Sequence, residues 1–180
     1  TCGYLGGGGR FWRGWFLPGD AGFLDDRGRL FLSGRLKDVI RSGGETVYPA
    51  EVERALAGAP GVRSAAVAAV PHPRLGEAVG ALLVLNEGWV WQSPGGRGAD
   101  APGVGTPHRR SGGAGVVSAN LVKEHCRAAG LAPYKAPRLV AVVAPGGSLP
   151  QTPLGKVDRK GVAAVLLKVQ EDTSGGRARL

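Results

Sequence analysis

Two apolar runs constrain what this chain can fold into more than any other feature. Val62 to Val70 is β-branched and Ala-rich, and Ala78 to Leu85 is apolar again, with the breaker Pro71-His72-Pro73 between them. Neither approaches the roughly 18 successive apolar residues of a membrane span, and no such run exists elsewhere. The pair therefore reads as strands of a small sheet packed on helices.

The flanking text supplies the rest of such a fold. Trp15-Phe16-Leu17 and Phe23-Leu24 read as short strands. Asp25-Asp26-Arg27-Gly28 supplies turn residues, and Leu30-Phe31-Leu32 returns as a partner, which predicts a hairpin. Val39-Ile40 and Thr46-Val47 predict two more strand pieces around a tight Ser42-Gly43-Gly44 turn. Pro49 suits the first position of a helix, Glu51 and Glu53 favour its dipole, and Gly58 to Gly61 ends it. Ser118 is a cap for a helix carrying Leu121, Val122, His125 and Ala129, stopped by Gly130. Pro133 to Pro137 reads as a linker, Leu139 to Val143 as a strand, Gly146 to Lys156 as a loop, and Val162 to Leu167 as a short closing helix before a polar tail. Residues 1–10 are Gly-rich and read as flexible. Residues 86–117 have no period, are rich in Gly, Pro and Arg with two tryptophans, and read as a disordered insertion.

Charge narrows the function classes less than it first suggests. A net charge of +9 over 180 residues is compatible with a nucleic-acid module. The basic residues are scattered, however, with no aromatic-rich groove or basic helix, so a solvated surface with a few phosphate-facing cations fits better. Two cysteines, Cys2 and Cys126, are too few and too far apart for a disulfide framework or a zinc site, which points to a reducing compartment. Cys126 reads as core. No methionine is present, so the sequence reads as a fragment or a processed chain, and its start carries no targeting information.

Three stretches carry candidate chemistry: Gly14 to Asp20, Gly34 to Glu45, and Leu149 to Lys160. A carboxylate such as Asp20 accepts two hydrogen bonds from vicinal ribose hydroxyls, and a guanidinium such as Arg35 reaches the same sugar or its phosphate with fixed fork geometry. A lysine such as Lys156, on a Gly- and Pro-bounded loop, offsets the charge that develops when a carboxylate attacks an α-phosphate. Taken singly, Asp20 reads as well as a turn residue, and Arg35 and Lys156 as surface cations. Their order along the chain changes that balance.

The three stretches resemble the late motifs of the adenylate-forming superfamily, which includes acyl-CoA synthetases, luciferases and peptide-synthetase adenylation domains. Gly34 to Glu53 matches the pattern G-R-x-K-D-x-I-K-x-x-G-x-x-V-x-P-x-E-I-E at nearly every position, and Val70 to Glu77 resembles the family's cap-domain sheet. Two departures stand in the other motifs. Pro18 replaces the usual threonine before Gly19-Asp20, and Leu154 replaces a small polar residue before Gly155-Lys156. The likeness covers residues 14–85 and 118–165. It implies that Asp20 and Arg35 bind the ribose of ATP or of an acyl-adenylate and that Lys156 is the adenylation lysine. It also implies that Lys37, next to Asp38, is the hinge of a rotating cap. Arg41 would face the site in the thioester-forming state, with Gly43 and Gly44 lining the pantetheine tunnel. Tyr48 is expected to pack beside the hinge, and His72 to fix a turn.

The expected fold is α+β: a small cap domain, with a mixed sheet flanked by helices, over residues 35–167, preceded by a hairpin remnant of a large AMP-binding domain in 1–34 and followed by a polar tail in 168–180. The family's early phosphate-loop motifs are absent from the sequence. The expected function is the C-terminal part of an AMP-forming acyl-CoA ligase, inactive alone, using ATP with Mg2+ and CoA, and taking its carboxylic acid through an N-terminal domain. Within the family, the Ser-Gly-Gly-Glu-x-Val-Tyr-Pro run resembles acyl-CoA ligases, with plant or algal 2-succinylbenzoate–CoA ligases as a candidate. That candidate would imply a chloroplast or peroxisome. The alternative is a stand-alone cap domain that acts only by binding. No metal ligand, nucleic-acid partner or membrane span is expected.

Overall fold

The computed structural model describes residues 11–92 and 115–175. At its centre are β7 and β8, reached after six shorter strands: β1 (Phe11–Trp12), β2 (Trp15–Phe16), β3 (Asp20–Leu24), β4 (Leu30–Arg35), β5 (Ile40–Ser42) and β6 (Glu45–Val47). β7 (Val62–His72) and β8 (Gly76–Leu85) pair antiparallel, with Val70 opposite Ala78 and Val62 opposite Leu85. The other edge of β8 takes two partners. Near its start Ser42 of β5 sits opposite Gly76, and further along β11 (Leu139–Val142) runs parallel to Gly80–Leu83. β7 continues through Pro71 and His72, which the sequence reading placed in a breaker. The turn lies at residues 73–75, and His72 Nδ1 fixes it by accepting the Arg74 N–H at 3.3 Å.

Every residue of β8 from Ala78 to Val84 is buried, because both faces of the sheet are covered. Side chains alternate across a strand. Val79, Ala81 and Leu83 therefore join Ile40, Val47, Val52, Leu56, Val117, Val122 and Cys126 on one face. Ala78, Leu82 and Val84 join Ala141, Leu149, Val162 and Leu166 on the other. Each fully buried Leu, Ile or Val contributes on the order of 1.5–3 kcal/mol. Gly80 leaves room for the second cluster, since a Cβ there would lie 2.9 Å from Leu166 Cδ1.

The first face is covered by α1 (Pro49–Ala57) and α2 (Ala119–Ala128). Pro49 opens α1 as expected, and Glu51 satisfies a free amide at its start by accepting the Tyr48 N–H at 3.2 Å. Ser118 Oγ caps α2 by accepting the Leu121 N–H. Cys126 is fully buried, and that burial raises its thiol pKa. The second face is covered by α3 (Arg159–Gly175). The helix is thus longer than the short closing helix expected, and residues 168–175, read as polar tail, belong to it. Pro133–Lys135, read as linker, forms a 3-10 turn whose Lys135 pairs with Glu51 at 2.7 Å.

The expected insertion also needs new boundaries. Val90–Gln92 (β9) and Val116–Ser118 (β10) pair in parallel, and Trp91 and Val117 are buried in the first core. Only residues 93–114 of the insertion lie outside the described residues, as do residues 1–10. Trp89 packs so tightly on Gly61 and Gly115 that a Cβ on either would lie 2.1 or 2.2 Å from its ring. Gly61 also has φ +80°, a conformation costly for other residues.

Gly61→Ala is therefore expected to lower stability by about 2–4 kcal/mol, from overpacking plus left-handed backbone strain. Gly130→Ala, at φ +81° with open space around it, should cost only about 1 kcal/mol. Urea unfolding midpoints of the two variants check this, and equal losses would contradict the Trp89 packing.

Candidate functional site

The candidate residues all lie on hairpins and loops at the margin of this core. Asp20 opens β3 and Arg35 closes β4, and the antiparallel register sets them directly opposite each other. Gly19, at φ +80°, turns the chain into the strand, and the Leu36 N–H closes the base by donating to Gly19 O at 2.8 Å. Arg35 Nε stands 3.5 Å from Asp20 Oδ1, with the arginine side chain 57% exposed. An ion pair this long and this exposed contributes at most about 1 kcal/mol. Neither partner has another side-chain bond among the described residues, so a carboxylate oxygen and most of a guanidinium fork remain available. That donor and acceptor set fits a vicinal diol beside a phosphate.

Arg41, Gly43 and Gly44 belong to the β5–β6 hairpin. Gly43 and Gly44 have φ +61° and +88°, the two successive positive values of a tight hairpin turn. The turn is held against the β7–β8 connection, because the Gly43 N–H donates to Leu75 O at 3.0 Å and the Arg41 N–H donates to Glu77 Oε2 at 2.7 Å. Arg41 Nη1 donates to Thr46 Oγ1, which lays the guanidinium along the hairpin surface. Glu77 and Thr46 were not singled out from sequence.

Lys156 sits in a loop closed by a bridge between Gln151 and Val157. The loop is braced from within: the Thr152 N–H donates to Lys156 O at 2.7 Å, the Gly155 N–H to Thr152 O at 2.9 Å, and the Lys156 N–H to Thr152 Oγ1 at 3.3 Å. The Lys156 ammonium is exposed and has no partner among the described residues, and Leu154 beside it is 85% exposed. This loop is a preformed unit that presents a bare cation.

Lys37 and Asp38 lie in the 3-10 turn Leu36–Asp38 that leads out of the β3–β4 hairpin. Lys37 is exposed. Asp38 pairs with Arg159 at 3.3 Å, and Arg159 also pairs with Glu53. Burial lowers the pKa of Arg159, but the hydrogen bonds and charge of Glu53, with Asp38 after them, outweigh it and hold the guanidinium above its ordinary value. From sequence Glu53 reads as a charge favouring the helix dipole and Arg159 only as part of the third stretch, whereas the structure pairs the two. Tyr48, expected beside the hinge, packs on the end of β4, its ring 3.4 Å from where a Gly34 Cβ would stand.

The structure thus brings together Asp20 with Arg35, Arg41 with the Gly43-Gly44 turn, and Asp38 with the end of the Lys156 loop. Among the described residues no hydrogen bond or ion pair joins Lys156 to Asp20, Arg35 or Arg41. No group of three or more His, Cys, Asp or Glu side chains gathers there as a metal site either. No helix among them is long and apolar enough to cross a membrane.

Glu77→Ala should raise hydrogen exchange of the Arg41 amide about tenfold, the worth of one charge-assisted bond. Exchange measured residue by residue checks this, and unchanged protection would remove Glu77 as the brace of the turn.

Comparison with known proteins shows the family. Residues 51–156 match the family model of the AMP-binding enzyme C-terminal domain. A long-chain-fatty-acid–CoA ligase of Mycobacterium tuberculosis is 35% identical over 147 residues, which cover 82% of this chain and 23% of the relative. The chloroplastic/peroxisomal 2-succinylbenzoate–CoA ligase of Arabidopsis thaliana is 37% identical over 153 residues, covering 85% and 24%. Among solved structures, o-succinylbenzoate CoA synthetase from Bacillus subtilis in complex with its acyl-adenylate intermediate aligns at TM-score 0.63 and 32% identity, over 84% of this chain and 25% of that one. The chain spans about a quarter of the length of these relatives. With its α+β fold, its matched residues and relatives that are acyl-CoA ligases, the chain belongs to the AMP-binding enzyme C-terminal domain family.

Proposed function

We propose that this chain is the cap portion of an ATP-dependent, AMP-forming acyl-CoA ligase and that it supplies the adenylation lysine, Lys156. The observation that carries the reading is the bare, exposed Lys156 ammonium on a loop braced by its own hydrogen bonds. A cation held this way approaches a developing negative charge without reorganising its own backbone.

A second observation supports the division of the chain. Phe23, Leu24, Leu30, Phe31 and Leu32 of the β3–β4 hairpin are exposed by 43–67%, and Trp12 and Trp15 of the β1–β2 hairpin by 59% and 75%. A two-stranded ribbon with that much apolar surface is marginal alone and suits the margin of a larger body. Residues 1–34 are accordingly assigned to the large domain. The cap begins at Arg35 and includes α3 to Gly175.

In this reading Asp20 and Arg35 hold the adenosine ribose. The substrate carboxylate attacks the α-phosphate of ATP while Lys156 offsets the growing charge, and pyrophosphate leaves. The cap then turns at Lys37 and Asp38. The CoA thiol, guided past Arg41 and the Gly43-Gly44 turn, attacks the acyl carbonyl and AMP leaves. Glycine lets a thin pantetheine chain pass close to backbone. Magnesium accompanies the ATP, and no residue of this chain is assigned to it. The carboxylic acid is selected outside this chain, which is expected to be inactive alone. A 2-succinylbenzoate-type acid is one candidate, since two of the relatives are named for it, while others are named for a long-chain fatty acid and for 4-chlorobenzoate.

Lys156→Ala in a protein extended upstream to the length of its relatives should slow acid-dependent ATP–pyrophosphate exchange by about 10²–10³-fold. Thioester formation from supplied acyl-adenylate should stay within about threefold, because that step follows the charge development Lys156 serves. Equal loss in both half-reactions would overturn the role of Lys156.

A further inference from the structure

Arg159 carries a contact set that the reading above leaves unused. It opens α3, three positions after Lys156, and the loop is fastened to it where the Asp158 N–H donates to Pro150 O at 2.9 Å. Its guanidinium touches three elements. Nη1 and Nη2 fork onto the two carboxylate oxygens of Glu53 in α1, Nη1 also donates to Val67 O in β7 at 2.7 Å, and Nε faces Asp38 at 3.3 Å. Glu53 Oε1 in turn accepts the Val67 N–H at 2.9 Å. Val67 pairs with Ala81 on its β8 side, so Glu53 and Arg159 together satisfy the outer edge of β7 at this position.

These contacts are unequal in kind. Arg159 and Glu53 form a bidentate, charge-balanced pair that also completes two backbone groups, and this is the strong form of such a contact. Asp38 is a surplus carboxylate held through one longer contact, with about a quarter of each side chain still exposed. Its departure leaves a neutral, fully bonded pair behind. Departure of Glu53 would strand a half-buried guanidinium and a strand edge.

We propose that Arg159 is a positioning residue that latches the Leu36–Asp38 turn to the Lys156 loop. Its bond to Asp38 is the releasable arm, and its bonds to Glu53 and Val67 are the fixed anchor. While Asp38 is engaged, the turn and the loop are held in one arrangement. When the turn rotates, Asp38 leaves, and the anchor keeps the loop in shape. A partly exposed ion pair biases such an equilibrium by severalfold, enough to favour one state without trapping it. The catalytic meaning of the latch rests on the ligase reading, while the latch itself does not.

Hydrogen exchange on the 180-residue chain, resolved by residue, tests it without ATP or acid, so its result is separable from that of the ligase reading. Asp38→Asn should raise exchange across Leu36 to Ile40 about three- to tenfold, leave the Val67 amide protected and shift the melting temperature by less than about 2 °C. Asp38→Glu should restore most of the protection. Half-molar sodium chloride should raise exchange in that segment of the wild type but not of Asp38→Asn, a charge-specific signature that a packing role would not give. Glu53→Gln should instead expose the Val67 amide. Unchanged exchange at Leu36 to Ile40 in Asp38→Asn would overturn the latch. Joint loss of Val67 protection and melting temperature in that variant would overturn it too, by showing Asp38 to be part of the anchor.

Discussion

The double-sided burial of β8 is the constraint on which the rest of the structure depends. A strand buried from Ala78 to Val84 must be covered on both faces, and this chain covers one with α1 and α2 and the other with α3. That requirement brings the start of α3 beside α1 across the free edge of β7, where Arg159 meets Glu53. It also explains why Gly80 faces Leu166: a side chain there would push α3 off the sheet. The core thus sets a polar junction that ties the first helix, the last helix and the turn at Asp38 together.

The candidate residues follow from that geometry by exclusion. The core takes the apolar text, and the charged groups that could meet a ligand are left on hairpins and loops at its margin. They are held with different firmness. Arg41 and the Gly43-Gly44 turn are bonded to the β7–β8 connection, and the Lys156 loop is bonded to itself. The Asp20–Arg35 pair is long and exposed, and the Asp38 contact is a single, partly exposed arm of Arg159. Firm presentation of single groups, with loose bonds between the units that carry them, is compatible with the proposed movement between two arrangements.

Much of this was legible in the sequence where local chemistry decides local structure. Pro49, Ser118 and Gly43-Gly44 each mark a cap or turn by mechanism, and the structure has each one in that place. The two apolar runs showed the sheet. What was not legible was decided by distant contacts. Trp89 and Trp91 sit in an aperiodic Gly-rich stretch, and only Gly61, Gly115 and the first core make them part of the fold. The end of α3 was hidden because the residues after Leu167 turn polar, although the helix continues. Arg159 and Glu53 lie 106 residues apart, and nothing in either neighbourhood announces the other.

The central claim is that this chain completes an adenylation site whose remaining parts lie on a larger body. Its most direct test is pyrophosphate release from ATP with a panel of carboxylic acids, comparing the 180-residue chain with a version extended upstream to the length of its relatives. Silence from the short chain and acid-dependent release from the extended one is the predicted result, and the preferred acid would identify the substrate class. Release by the short chain alone, or silence from both, would contradict it.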